Sequence, residues 1–185
     1  MRPLFALVAI NLFMTPASIS ASPRRTKALT SDELDAFKLL RFDGARVRLK
    51  DLRAKATLIS VWTDSCGPCL AELPLLQKLA DTYAGDHDVA ILALSFDPSR
   101  EHPDTPTAAA LDVAKRLGLR LPLLWDPSFQ FMKLSRRKEV TFPTAFFISS
   151  SGAITEEAGF DSKVSEPEYL AKKRAQLEAL KSAAH

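Results

Sequence analysis

Residues 56–69 read ATLISVWTDSCGPC, and this stretch decides the fold. Its first half, Ala56 to Trp62, is a continuous β-branched and apolar run, the pattern of a strand buried on both faces of a sheet. A helix should follow directly. Within Cys69 to Ala84, the residues Leu73, Leu76, Leu79, Ala80 and Tyr83 recur at spacings of three and four, which makes one apolar face, and Gly85 ends it. Val89 to Phe96 (VAILALSF) is a second fully apolar strand. Strand, helix and strand form a βαβ unit, so the two strands are expected to lie parallel.

Working outward, Phe37 to Phe42 and Val47 to Leu52 flank Asp43-Gly44, the strongest short hairpin signal, and predict an N-terminal β-hairpin. Downstream, Pro98, Pro103 and Pro106 punctuate a polar loop over Asp97 to Thr107, the segment expected to be most mobile. Thr107 to Leu117 resumes a helical period that Gly118 ends. Leu121 to Trp125 reads as a short strand, Ser128 to Leu134 as a helical turn or two, and Thr144 to Ser149 as a strand. Ser150-Ser151-Gly152 turns into a hairpin partner over Ala153 to Gly159. The last helix is predicted from Glu166 to Ala183, with Ser165 and Glu168 as a capping box, an apolar stripe of Leu170, Leu177 and Leu180, and a solvated charged remainder.

The N-terminus reads as an export signal. Arg2 precedes an apolar run from Leu4 to Met14, then the small-residue stretch Thr15 to Ser22 and the basic pair Arg24 and Arg25. The run is well short of the about 20 residues a membrane span needs. Cleavage is expected near Ala21, with an uncleaved anchor as the alternative. The domain division is thus a signal peptide over 1–21, a linker over 22–36 and one globular domain over 37–185. An exported compartment is one where disulfides persist.

The 185-residue chain is 46% hydrophobic and 25% charged, the composition of a globular protein that needs no disulfide framework to fold. Twenty-five Lys and Arg against 22 Asp and Glu give a net charge of +3 without a dense basic block, which argues against nucleic acid as a partner. The cysteines number two, Cys66 and Cys69. Two thiols at this spacing at a helix start can close a small disulfide, with free backbone N–H groups and the helix dipole stabilising a thiolate on Cys66. A thiolate is the nucleophile of thiol–disulfide exchange, and Cys69, one turn in and more buried, could then attack the mixed disulfide and release the reduced partner.

Other uses of the pair carry less weight. A structural disulfide here would cross-link almost no chain and contribute little stability. Zinc would need two further ligands, but His87, His102 and His185 stand at no useful spacing, and the same shortage weakens copper delivery. Thr63 lies three residues before Cys66, as in the peroxiredoxin T-x-x-C, yet the proline those enzymes carry four residues earlier is Ile59 here. No metal and no cofactor are expected.

Phe37 to about Ser162 resembles the thioredoxin superfamily, specifically the exported TlpA/ResA-type branch of thiol-disulfide oxidoreductases. The matching residues are Cys66-Gly67-Pro68-Cys69 after a buried strand, Glu72 and Pro74 in Cys-x-x-Cys-x-x-Glu-x-Pro, and Phe142-Pro143-Thr144 before the strand Ala145 to Ile148. Asp43-Gly44, Leu121-Pro122, Asp126 and Ser151-Gly152 follow in the family's order. The resemblance implies an α/β thioredoxin-like fold, a central mixed β-sheet flanked by helices. It also implies that Phe142-Pro143-Thr144 is a cis-proline loop facing the cysteines, where the backbone of Phe142 can pair with a substrate segment.

On this resemblance the catalytic residues are Cys66, Cys69 and Glu72, and the substrate-binding residues are Trp62, Gly67, Pro68, Phe142, Pro143 and Thr144. The Glu72 carboxyl, on the same helical face as Cys69, could accept or return a proton as the buried thiol reacts; the alternative is a helix-surface glutamate. The family's tryptophan before the first cysteine is Ser65, and the buried acid six residues before that cysteine is Ser60. Phe142 is bulkier than usual before the proline. Lys133, Arg136, Arg137 and Lys138 form a basic cluster nearby, either a solvated loop or a docking site for acidic partners.

The expected function is that of an exported oxidoreductase, periplasmic and soluble after signal cleavage, or membrane-tethered if the segment stays. Gly67-Pro68 resembles reducing members, so the resemblance implies reduction of protein disulfides, with apocytochrome c cysteines as one target and a membrane thiol-relay reductase as the recharging partner. A thiol oxidant or isomerase, and a redox-controlled binding or assembly module, are the alternatives.

Overall fold

The computed structural model describes residues 24–25, 29–96, 101, 104–134 and 141–183. The expected export signal, most of the 97–107 loop, and Arg136, Arg137 and Lys138 of the basic cluster lie outside the described residues. In chain order the elements are β1 (Arg24–Arg25), α1 (Ser31–Asp35), β2 (Lys38–Arg41), β3 (Arg46–Arg48), α2 (Leu49–Leu52), β4 (Ala56–Trp62), α3 (Gly67–Thr82) and β5 (Val89–Ser95). Then come α4 (Ala108–Arg116), β6 (Leu123–Trp125), a 3-10 turn at Phe131–Leu134, β7 (Thr144–Ser149), β8 (Ile154–Ala158) and α5 (Glu166–Ser182).

One mixed sheet runs β1-β8-β7-β4-β5-β6-β2-β3. β4 is central, parallel to β5 and antiparallel to β7, which is why every one of its seven residues is buried. Its side chains alternate between two cores. Leu58 and Trp62 join Leu73, Leu76, Leu79, Ala110 and Leu177 on the side covered by α3, α4 and α5. Ile59 and Val61 join Leu34, Leu49, Phe131 and Phe146 on the side covered by α1, α2 and the 3-10 turn. Ser60, sharing the parity of Leu58 and Trp62, therefore faces α3 and α5.

Three expectations need correction here. The Asp43-Gly44 hairpin forms, with Leu40 opposite Arg46, but Leu49–Leu52 turns into a helix instead of extending the second strand. Leu49 there is fully buried, so an amphipathic turn that aims it inward replaces further pairing at the sheet edge. The stretch expected as a linker carries structure: β1 pairs with β8, Thr30 caps α1 through a complete capping box with Glu33, and Leu34 is buried. Leu29 N–H donates to the Gly152 carbonyl at 2.9 Å. Gly152 has φ +81°, and a Cβ there would sit 2.0 Å from the Leu29 oxygen, so this close approach requires glycine. Finally, Ser165 stands at the N-cap of α5 without a side-chain capping bond, so the predicted box does not form.

Candidate active site

β4 delivers the chain to the C-terminal edge of the sheet, and α3 takes it away. Between them the Cys66 N–H bonds the Thr63 carbonyl at 3.2 Å, closing a turn. Asp64 in this turn accepts from the Thr107 hydroxyl at 3.0 Å, and Thr107 also caps α4 by accepting from Ala110 N–H. The redox loop is thereby tied to the start of α4.

Cys66 is the N-cap of α3 and forms a disulfide with Cys69, with Cα atoms 5.2 Å apart. Its Sγ accepts from the Cys69 backbone N–H at 3.2 Å, so a helix-terminal donor already points at the sulfur where negative charge develops on reduction. The two sulfurs differ in access. Cys66 is half-buried and flanked by exposed Gly67 and Pro68, while Cys69 is 0% exposed.

Glu72 lies one turn after Cys69 and is 4% exposed, so it is not a helix-surface glutamate. Its Oε2 accepts from the Ser60 hydroxyl at 2.8 Å, and its Oε1 from the Tyr169 hydroxyl at 2.9 Å. Burial and then the adjoining carboxylate push the Tyr169 phenol well above its ordinary range, which keeps it a donor. Behind Tyr169, Lys173 is also buried, its ammonium 5.2 Å from the Phe147 ring centroid and 5.5 Å from that of Tyr169. It pairs with Glu157 at 3.2 Å. Burial alone would raise Glu157, but the Lys173 charge and hydrogen bonds from Lys172 and Gln176 outweigh it and hold the carboxyl down at about 2.

The register of β4 against β7 sets Val61 opposite Thr144, which brings the 141–143 loop beside the turn carrying Cys66. The Phe142–Pro143 peptide bond is cis. Phe142 is half-buried, its ring 5.2 Å from that of Phe96. Three residues expected to bind substrate are instead buried: Pro143 in the cis-proline loop, and Trp62 and Thr144 on strands. Trp62 is 0% exposed and packs beside Phe42, and Thr144 is 0% exposed with its hydroxyl donating to the Thr141 carbonyl. Both belong to strands buried on two faces, so they support the loops without reaching the surface. Among the described residues, no cluster of His, Cys, Asp and Glu could hold a metal ion.

The sequence reading missed Tyr169, Lys173 and Glu157. The available signal was the i, i+4, i+8 series Tyr169, Lys173 and Leu177, one stripe of α5 interrupted by a charge. These are the buried residues of α5, whereas the expected stripe members Leu170 and Leu180 are only partly buried.

A surface sulfur at a helix N-terminus, disulfide-bonded to a buried one on the edge of a mixed sheet, defines a redox-active dithiol protein of thioredoxin-like fold. Residues 30–157 match the AhpC/TSA family, and the chain belongs to it. It is 27% identical over 141 residues, 76% of each chain, to the thiol-disulfide oxidoreductase ResA of Bacillus thuringiensis subsp. konkukian. Among solved structures it is similar to a secreted Mycobacterium tuberculosis disulfide oxidoreductase homologous to E. coli DsbE, with TM-score 0.60 and 20% identity over 78% of this chain and 99% of that one. StoA from Bacillus subtilis superposes with TM-score 0.56 and 22% identity, covering 74% and 95%. The protein is a thiol-disulfide oxidoreductase.

Proposed function

We propose that this oxidoreductase works as an exported reductase of protein disulfides, with Cys66 as nucleophile, Cys69 as resolving thiol and Glu72 as proton carrier. The observation that carries this is the steep change in exposure over the first two turns of α3, from half-buried Cys66 to Cys69 and Glu72 in the interior. In the reduced form, Cys66 thiolate attacks a substrate disulfide, forming a mixed disulfide and expelling one substrate thiolate. Cys69 then gives its proton to Glu72 and attacks Cys66 Sγ, which restores the internal disulfide and expels the second substrate thiolate. Two electrons pass to the substrate.

The exposed backbone turn at Gly67-Pro68 and the half-buried Phe142 beside it offer the surface on which a substrate segment would lie. Recharging falls to a membrane thiol-relay reductase, and apocytochrome c cysteines are the proposed target, both by similarity to ResA-type relatives. Export rests on the Leu4–Met14 run; among the described residues no helix is long and apolar enough to cross a membrane.

The deciding experiment is a Cys69→Ser trap in cells. Mixed disulfides through Cys66 should accumulate, and the captured partners should include a haem-attachment CXXCH protein. Proper export with no captured partner contradicts the reductase assignment. Charged residues at Leu7, Val8 and Ile10 should abolish export; unchanged export would remove the signal from the account.

A further inference from the structure

Resolution moves a proton onto Glu72 inside the protein, and that proton must leave before the next cycle. Neither Glu72, at 4% exposure, nor Cys69, at 0%, can exchange it directly with bulk water. A cavity of about 90 Å³ abuts the carboxylate, lined by Glu72, Glu157, Gly159, Phe160, Tyr169 and Lys173 among others. A water occupies about 30 Å³ of liquid volume and needs two to four polar partners, so a cavity of this size and lining suits a short water chain.

No residue of the 63–68 turn or the 141–143 loop lines the cavity; Gly159, which does, donates its N–H to the Pro143 carbonyl at 2.7 Å, so the cavity lies behind the cis-proline loop. We propose that this cavity is the route by which Glu72 exchanges its proton with solvent, and that Tyr169 is the positioning residue that aims the carboxylate into it. The inference rests on Glu72 being the proton carrier for Cys69.

Every group facing Glu72 fits this role. From β4 comes the uncharged Ser60 hydroxyl, and from α5 the Tyr169 hydroxyl, so each carboxylate oxygen is held by one O–H donor. Across the cavity stand Lys172 and Lys173 from α5, Glu157 from β8 and Asp161 from the following loop. Two cations and two carboxylates balance, and Lys173 is already paired with Glu157, so no net charge pins the proton in either direction. On α3 itself the positions one turn either side of Glu72 are Pro68, Cys69, Leu75 and Leu76, which add no charge beyond the Cys69 sulfur.

In resolution the Cys69 S–H proton passes to Glu72 as the Cys69–Cys66 bond forms, and Glu72 releases it to cavity water. In recharging, one thiolate of a dithiol donor attacks Cys66 and Cys69 departs as thiolate with the electron pair, taking up a proton through Glu72; the donor's second thiol then displaces Cys66 as thiolate, and the donor leaves as a disulfide.

The test mixes reduced full-length protein with dithiobis(nitrobenzoate), a chromogenic disulfide that releases one coloured thiolate when Cys66 attacks and a second when Cys69 displaces it. Tyr169→Phe removes one oxygen and keeps the ring 5.8 Å from Phe160; Val164→Phe fills the cavity from its lining. Both should leave the first release at the wild-type rate. The second should fall about tenfold in Tyr169→Phe, the scale of one hydrogen bond to a charged group, and its pH profile should move by about one unit. In Val164→Phe the second release should fall about threefold or more, since general acid–base transfer contributes about a hundredfold or more in all.

A second release at the wild-type rate in folded Val164→Phe overturns the route, and an unmoved pH profile in Tyr169→Phe overturns the positioning role. Should Val164→Phe not fold, the smaller Val164→Leu, which enters the same cavity, decides the route by the same second release. Loss of the second release in wild type itself, or an unaffected one in Glu72→Gln, strikes the parent mechanism instead, so the two failures are distinguishable.

Discussion

The first and second turns of α3 are neighbours in sequence and opposites in environment. Gly67 and Pro68 are exposed and Cys66 is half-buried, whereas Cys69, Glu72 and Leu73 are buried against β4 and α5. The difference divides one reaction between two media. Sulfur meets substrate where water and a partner chain can reach it; the proton is handled where a carboxylate has two fixed hydroxyl donors and few competitors.

The most severe way to break this division is at its outer member. Cys66→Ser should abolish reduction of a disulfide protein under steady-state conditions, measured by turnover with a recycling dithiol; residual turnover near wild type would mean that Cys69 is reachable from outside. At the inner member, Glu72→Gln keeps the side chain's size and its acceptor oxygen but cannot take up the Cys69 proton. The resolving step should slow about a hundredfold while Cys66 attack keeps its rate, as stopped-flow traces would show. Equal slowing of both steps would erase the distinction.

Glu157→Gln sharpens the comparison at the deepest layer, because it leaves the buried Lys173 ammonium without its partner. Loss of stability of about 3 kcal/mol is expected in denaturant titration. The wild-type pair also carries a pH signature. Because the folded state holds the Glu157 carboxyl down at about 2, below its usual value near 4.5, its contribution to stability is present above pH 4.5 and is lost as pH falls toward 2. That component should be missing from the Glu157→Gln pH–stability curve; identical curves would show that the pair contributes nothing. The mildest effect is expected at the surface. Phe142→Ala should alter KM for a protein disulfide by a few-fold, with kcat less affected, since this half-buried ring sits against Phe96 at the rim beside the redox turn.

Much of the catalytic frame was legible because it rests on local patterns. Ala56–Trp62 and Thr144–Ser149 form strands over the limits their apolar runs suggest, and α3 begins at the Gly67-Pro68 step. Phe142-Pro143 carried its cis bond in its motif context. What was illegible depends on contacts across long separations. Ser60, Glu72 and Tyr169 converge from β4, α3 and α5, and no spacing rule links residue 60 or 72 to residue 169. Lys173 looked solvated because lysine is almost never buried unpaired, and its partner Glu157 lies on another element. Trp62 misled in the opposite direction: the family resemblance suggested substrate contact, but the strand that carries it is covered on both faces.

The asymmetry of the two sulfurs is the central claim, and alkylation tests it most directly. Reduced protein treated briefly with iodoacetamide at neutral pH, then unfolded and digested, reports by mass which cysteine was modified. The account predicts label on Cys66 and almost none on Cys69. Comparable labelling of both, in protein shown to be folded, would contradict it.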